Sequence, residues 1–319
     1  MAATSMDVAA SLKTLKGRNF LSSTDFNSAE IRALLELAAQ FKRGDRHIEL
    51  GNRVLGLLFT KASTRTRVSF QVAMARLGGQ TVDLNPQVTQ LSRGESFQDT
   101  ICVLSRFCDV LAIRTFTQQE IIDYARWSSI PVLNALTDLE HPCQALADYL
   151  TMQENFGELS GCTLAYLGDG NNVAHSLMLC GAVLGVNVRI GCPEGFEPLS
   201  TVLKQSRALA SSGACIEIFH EPAVAVRGAQ VLYTDVWTSM GQEQEQSVRE
   251  LAFQGFCLDE MLLEAADPAA IVLHCLPAHR GEEISASVME GSASRIFDQA
   301  ENRLHTQQAL LAAVIGGFQ

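Results

Sequence analysis

Short apolar runs alternate with amphipathic stretches along most of this chain. SAEIRALLELAAQFKRG (28–44) spaces its apolar residues at helical intervals, and VLGLLF (54–59) follows as an unbroken run of strand length. The pattern then predicts a helix over 64–77 stopped by Gly78-Gly79, the strand TVDL (81–84) and a helix over 96–108. Strand VLAIR (110–114), helix 118–129, strand PVLNAL (131–136) and helix 141–157 come next. The alternation restarts with TLAYLG, NVRIGC, CIEIF, VLYTDVW and AIVLHCL, five apolar strands separated by helical stretches. A last amphipathic run, ENRLHTQQALLAAVIGG (301–317), closes the chain. Strands that are apolar throughout belong to sheets covered on both faces. The expectation is therefore α/β, with two domains, each a mostly parallel sheet flanked by helices.

A length of 319 residues agrees with two domains, since single cores stop growing near ~250–300 residues. The formal net charge of −11 argues against nonspecific binding to nucleic acid or an anionic membrane, because both need basic surfaces. No apolar run approaches the ~20 residues of a membrane span. Nine scattered cysteines without a CxxC pair suit reduced thiols in a cytoplasmic setting, not a disulfide framework or a zinc site. The first 15 or so residues, without a signal-peptide core, read as a loose tail or a short helical extension.

Within so acidic a chain, TKASTRTRVSF (60–70) needs a local explanation. Parallel sheets bind ligands where loops leave the carboxyl ends of strands. With Ser63 as the expected N-cap, Thr64, Arg65, Thr66 and Arg67 fall in the first helical turn. That turn offers unpaired N–H groups and the positive end of the helix dipole. Arginines there oppose the dipole unless an anion sits between them, and phosphate suits such a donor set. The competing reading is a capped helix with solvated arginines, and Arg67 fits a structural role even where Arg65 does not. Arg114 ends the apolar strand VLAI, where an isolated cation is costly. His141 and Gln144, in HPCQ, open another helix after a strand; His141 alone would more often be a helix-start residue.

AYLGDGNNVAHS (165–176) has the strand–turn–helix look of a dinucleotide site but lacks the third glycine, and NVRIGC does not end in an acid. Asp235, in TDVWTSMGQE, stands at a strand end, where it either caps a turn or meets an amine cation. Cys275, in IVLHCLPAHRGEEI, is either a small buried hydrophobe or a group near reacting atoms. His274 is its neighbour on a strand and points to the opposite face, so the two do not form a nucleophile–base dyad.

Taken together and in order, STRTR, HPCQALAD, GDGNN, DVWTSMG and HCLPAHRG resemble the aspartate/ornithine carbamoyltransferase family, from about residue 17 onward. STRTR and HPxQ are common to both branches; DVWTSMG and HCLP resemble the ornithine branch. The resemblance implies a carbamoyl phosphate-binding domain over 1–144, completed by a C-terminal helix (302–319), and an ornithine-binding domain over 145–301. Ser63, Thr64, Arg65, Thr66 and Arg114 resemble the phosphate set. Thr66, Arg114 and His141 would contact the carbamoyl oxygen, while Gln144 and the Leu276 carbonyl would receive its NH2. Gln90 matches a loop reaching a neighbouring subunit's site in a homotrimer, and Arg303 would add positive charge. Asn172, Asp235, Ser239 and Met240 resemble the ornithine clamp, with Asp235 facing the α-ammonium and Cys275 near the attacking amine. Arg114, His141 and Cys275 would be the catalytic groups, and the Leu276–Pro277 bond would be cis.

The implied reaction joins carbamoyl phosphate and L-ornithine into L-citrulline and phosphate, with no metal or organic cofactor, as a step of arginine biosynthesis or of urea-cycle type. Its transition state would be held by cations and N–H donors fixed around the developing charge. The alternatives are a related carbamoyltransferase with another amine acceptor, a non-catalytic paralogue that keeps the fold and, more remotely, a nicotinamide oxidoreductase.

Overall fold

The computed structural model describes residues 5–85, 89–210, 213–238 and 243–318. They form two compact units, one of Met1–Leu150 with Glu301–Gln319 and the other of Thr151–Ala300.

The first unit is built on strands β1 (Val54–Phe59), β2 (Gln80–Leu84), β3 (Val110–Arg114) and β4 (Val132–Leu136), all parallel, in the order β2-β1-β3-β4. Leu55, Leu57, Leu111, Ile113 and Val132 are buried, as expected of central strands covered on both faces. Only β2, at the edge, alternates polar and apolar residues, and its Asp83 pairs with Arg67. The helix Ser28–Arg43 begins with a full capping box, Asn27 with Glu30, and ends at left-handed Gly44. The helix Ile296–Ile315 starts before the predicted 301, and its segment Ala309–Val314 is buried on every side. Its residues from Glu301 onward belong to this first unit, where Asn302 accepts a hydrogen bond from Lys42 at 2.8 Å. Near the amino terminus, Ser5–Lys13 is helical, the second of the two readings open for that segment.

The second unit carries β5 (Thr163–Leu167), β6 (Asn187–Gly191), β7 (Ile216–Phe219), β8 (Val231–Thr234) and β9 (Ile271–His274). They are again parallel, in the order β7-β6-β5-β8-β9. Two of these strands stop earlier than the apolar runs suggest. After β8, the Asp235 carboxylate accepts the N–H of Val236 at 2.9 Å, turning the chain out of the sheet. After β9, Leu276 adopts φ +61, and the Leu276–Pro277 bond is cis.

Each strand order has one place where the winding reverses direction, between β1 and β3 in the first sheet and between β5 and β8 in the second. Loops leaving the carboxyl ends of such a pair diverge and open a crevice, where doubly wound sheets take ligands. These loops contain the STRTR run and Arg114 in one unit, and GDGNN and Asp235 in the other.

The GDGNN turn depends on close backbone approach. A Cβ on Gly170 would lie 2.1 Å from Pro198 N and 2.3 Å from the Glu197 carbonyl carbon, both fixed main-chain atoms. Gly170→Ala is expected to destabilise the protein by about 1–3 kcal/mol through overpacking, read as a lower urea midpoint at unchanged slope.

Candidate functional site

In the first unit, the register of the sheet places Phe59, Arg114 and Leu136 side by side at the carboxyl ends of β1, β3 and β4. The chain leaving β1 crosses Lys61 and Ser63 before entering the helix Arg65–Arg76. Ser63 is not the N-cap. Thr64 holds that position in an αR conformation, and its side chain makes no capping bond. Because Thr64 is itself helical, its hydroxyl does not start from the extended backbone of a capping residue. Ser63 is half-buried and Thr64 and Arg65 are exposed, whereas Thr66 is buried. Arg67 turns away, pairing with Asp83 and lying over the Phe59 ring at 5.1 Å, which is the structural role open to it.

Arg65, Arg114 and Arg303 converge on His141. Arg303 is 4% exposed and donates through Nη2 to the Thr66 hydroxyl, tying the last helix to the STRTR turn. Burial, then Arg303 and Arg65, push the Arg114 guanidinium down to about 10, so it stays charged at neutral pH. That shift corresponds to roughly 3 kcal/mol against the charged form. The same arginines, after burial itself, hold the His141 imidazole well below its usual range, so it is neutral. Lys61, which carries no motif signal in the sequence, joins them. Its ammonium lies 4.6 Å from the Phe116 ring centroid, and burial followed by Arg114 lowers its pKa. A cluster of like charges around a neutral imidazole, at a sheet's switch point, is the electrostatic shape of an anion site.

Beside them, Gln144 is buried and donates from Nε2 to Asp148 at 2.7 Å. That bond fixes which end of the amide points where, and Oε1 accepts no hydrogen bond from any described residue. A buried acceptor oxygen oriented in this way suits an N–H donor on a ligand. Gln90 begins the 3-10 turn Gln90–Arg93 and is exposed.

The second unit gathers its polar groups on Asp235, which is 6% exposed. Its Oδ1 accepts from the Cys275 thiol at 2.9 Å, and Oδ2 accepts from Asn171 Nδ2 at 3.0 Å. Asn171 caps the helix Asn172–Leu184, its Oδ1 accepting from Val173 and Ala174 N–H at 2.9 and 3.2 Å, so its free orientation is lost. The N-cap preference marks Asn171 in the sequence; its second bond, to a residue 64 positions away, leaves no local sign. Asn172, the expected ligand, is the first residue of the same helix and half-buried. Behind the pair, Tyr166 donates to the Asp169 carbonyl at 3.0 Å. Burial, then Asp235, raises the Tyr166 phenol well above its usual range, so it remains a donor.

Arg249 is a further residue the sequence does not single out. Its Nη1 lies 3.0 Å from both the Trp237 carbonyl and the Asp169 carboxylate, joining the DVW segment to the GDGNN turn. In SVREL it looks like an ordinary solvent-facing helix residue, but it is 6% exposed. Ser239 and Met240 lie outside the described residues. Among the described residues, two groups of side chains bring ligand atoms within 4.8 Å of one another, Asp235–His274–Cys275 and His279–Glu282–Glu283. In the first, hydrogen bonds already engage all three side chains.

Comparisons with known proteins match two family models to the chain in succession. The family model described as aspartate/ornithine carbamoyltransferase, carbamoyl-P binding domain, matches residues 18–154. The corresponding Asp/Orn binding domain matches 160–314. An ornithine carbamoyltransferase of Parasynechococcus marenigrum is 74% identical, with each sequence covered in full. One from Prochlorococcus marinus is 75% identical over the same extent. Among solved structures, the ornithine carbamoyltransferase of Pyrococcus furiosus superposes with a TM-score of 0.91 at 47% identity, covering 96% of this chain and 99% of that one. That of Gloeobacter violaceus gives 0.86 at 52% identity, covering 94% and 100%. Family models over both units, and relatives far above 30% identity over the whole length, establish the assignment. The chain belongs to the aspartate/ornithine carbamoyltransferase family.

Proposed function

We propose that this protein transfers the carbamoyl group of carbamoyl phosphate to the δ-amine of L-ornithine, giving L-citrulline and phosphate. The observation that carries the reading is the convergence of Arg65, Arg114 and Arg303 on a neutral, buried His141. A phosphate dianion relieves the mutual repulsion of those cations, so its binding is strongest where the empty site is least comfortable. Ser63, Thr64, Arg65, Thr66 and Arg114 take the phosphate. The neutral His141, with Thr66 and Arg114, donates to the carbamoyl oxygen, and Gln144 Oε1 and the Leu276 carbonyl accept from the carbamoyl NH2.

In the acceptor half, Asp235 pairs with the α-ammonium of ornithine, with Asn172, Ser239 and Met240 completing the clamp. Cys275, bonded to Asp235, lies by the δ-amine. The neutral δ-amine adds to the carbamoyl carbon, the carbon–oxygen bond to phosphate breaks, and the proton the amine gives up leaves with the phosphate as citrulline forms. Negative charge gathers on the carbamoyl oxygen and then on the phosphate. Fixed N–H donors and guanidiniums therefore favour the transition state over the bound substrates. No oxidation state changes, so no electron carrier enters the balance.

We further infer a cytoplasmic enzyme of arginine biosynthesis, assembled as a homotrimer or a multiple of one, with Gln90 serving a neighbour's site. Supporting the assembly, Val68, Val72, Val82, Val103 and Phe107 are exposed in the first unit, in the elements just before and after Gln90. Supporting the compartment, no described helix is long and apolar enough to cross a membrane, and the cysteines are free thiols. Light scattering is expected to give a trimeric mass or a multiple of it; a fully active monomer contradicts the assembly.

Arg65→Ala removes one charge-assisted contact, about 1.5–3 kcal/mol, and is expected to weaken carbamoyl phosphate binding roughly ten- to hundredfold by calorimetry. Unchanged affinity in a folded variant excludes Arg65 from the site.

Citrulline formation with purified protein and a panel of amines tests the reaction itself. Ornithine is expected to exceed putrescine and aspartate in kcat/KM. Putrescine leaves carboxylate-binding donors unmatched, and aspartate brings a second carboxylate toward Asp235. In the same assay Asp235→Asn should raise the ornithine KM strongly while sparing that for carbamoyl phosphate. A better rate with aspartate or putrescine overturns the acceptor.

A further inference from the structure

At the carboxyl end of β9 the chain leaves the sheet through Cys275 and Leu276. Leu276 sits at φ +61, a left-handed conformation that is unfavourable for a residue bearing a Cβ. Something must hold it there. Its N–H donates to Nδ1 of His274, two residues earlier, at 2.8 Å. The other ring nitrogen of His274, Nε2, lies 3.0 Å from Glu283 Oε1. His274 is 1% exposed and Glu283 fully buried.

These bonds decide the ring's protonation. Nδ1 accepts from Leu276, so it carries a lone pair, and the ring proton is on Nε2, where the carboxylate receives it. The relay is pinned at both ends. The N–H of His279 donates to the same Glu283 oxygen at 2.6 Å, and the N–H of His274 donates to Gln299 Oε1 at 2.8 Å. Burying a polar side chain costs free energy that its hydrogen bonds largely offset, so stability alone gives little reason for a carboxyl group here. What the pair does provide is direction. Strand alternation sends the Cys275 side chain to the face opposite the ring, and there its thiol meets Asp235 at 2.9 Å.

The geometry points to His274, held by Glu283 as the Nε2–H tautomer, as a positioning residue for the acceptor half-site: it fixes the left-handed turn at Leu276 and thereby the direction in which Cys275 presents its thiol to Asp235. This rests on the reading of Asp235 and Cys275 as groups at the ornithine amine ends. His274 itself touches no substrate in that reading and acts through the backbone on either side of Cys275.

Two conservative substitutions separate the two ring nitrogens. The amide of Asn falls near Nδ1 and keeps an acceptor for Leu276, whereas the longer Gln places its amide near Nε2 and leaves that N–H unmet. His274→Asn is expected to keep the ornithine KM within about twofold, and His274→Gln to raise it about tenfold with carbamoyl phosphate KM unchanged, the size of one backbone hydrogen bond lost. A second readout needs no turnover. Iodoacetamide labelling of Cys275, located by mass spectrometry and referred to the exposed Cys215, should quicken about threefold or more in the Gln variant as the thiol leaves Asp235. The Asn variant should label as wild type does. Equal behaviour of the two folded variants, whether both intact or both impaired, overturns the proposal. Should either fail to fold, Glu283→Gln decides. It leaves Nε2–H a neutral acceptor and should raise the ornithine KM about two- to threefold; unchanged KM and labelling overturn the relay. Absence of citrulline from wild-type protein would instead strike the reaction, while the labelling comparison would still stand.

Discussion

Repulsion among Arg65, Arg114 and Arg303 is the constraint around which the first unit is organised. Separately each would be an ordinary surface arginine, but Arg114 and Arg303 are buried and share their surroundings with a neutral imidazole. A folded chain holds such an arrangement only if the scaffold is rigid enough to prevent the cations from moving apart. The apolar strands β1, β3 and β4 and the buried end of the last helix give that rigidity. In the proposed reading, an anion bound there would exchange repulsion among these cations for attraction.

The second unit solves a different problem with the opposite sign. One buried carboxylate, Asp235, is met by an amide, a thiol and a main-chain N–H, and all three are fixed by elements of the same sheet. Neutral donors of this kind hold the carboxylate in place without bringing an opposite charge to it, as an Arg or Lys at that point would have done. Arg249 does stand nearby, but its guanidinium is committed to Asp169 and Glu245, where it braces the turn.

The alternation of elements could be read from the chain because parallel strands covered on both faces are continuous apolar runs, and helices are not. For the same reason the strand ends could be read only approximately. VLYTDVW and AIVLHCL remain apolar beyond the sheet, and what stops them is a side chain bonding its own backbone at Asp235 and a left-handed residue at Leu276. Arg65, Arg114, His141, Asp235 and Cys275 stand out in the sequence as polar groups where buried strands finish. Lys61 and Arg249 do not, since each owes its place to a partner far along the chain, and Asn171 shows only its capping role. The resemblance to a family located Ser63 and Asn172 by motif, yet local physics decided which neighbour, Thr64 or Asn171, sits at the helix start.

Arg303 lies about 190 positions beyond Arg114, on a helix whose later residues return to fill the first unit's core. During synthesis, domains generally fold in the order they emerge. Here the earlier unit appears first but lacks both a core helix and one of its cations until the whole intervening unit has been made. A nascent chain therefore leaves an apolar face of its first unit uncovered until the last helix has been made. The earliest part of the chain is closed by the latest.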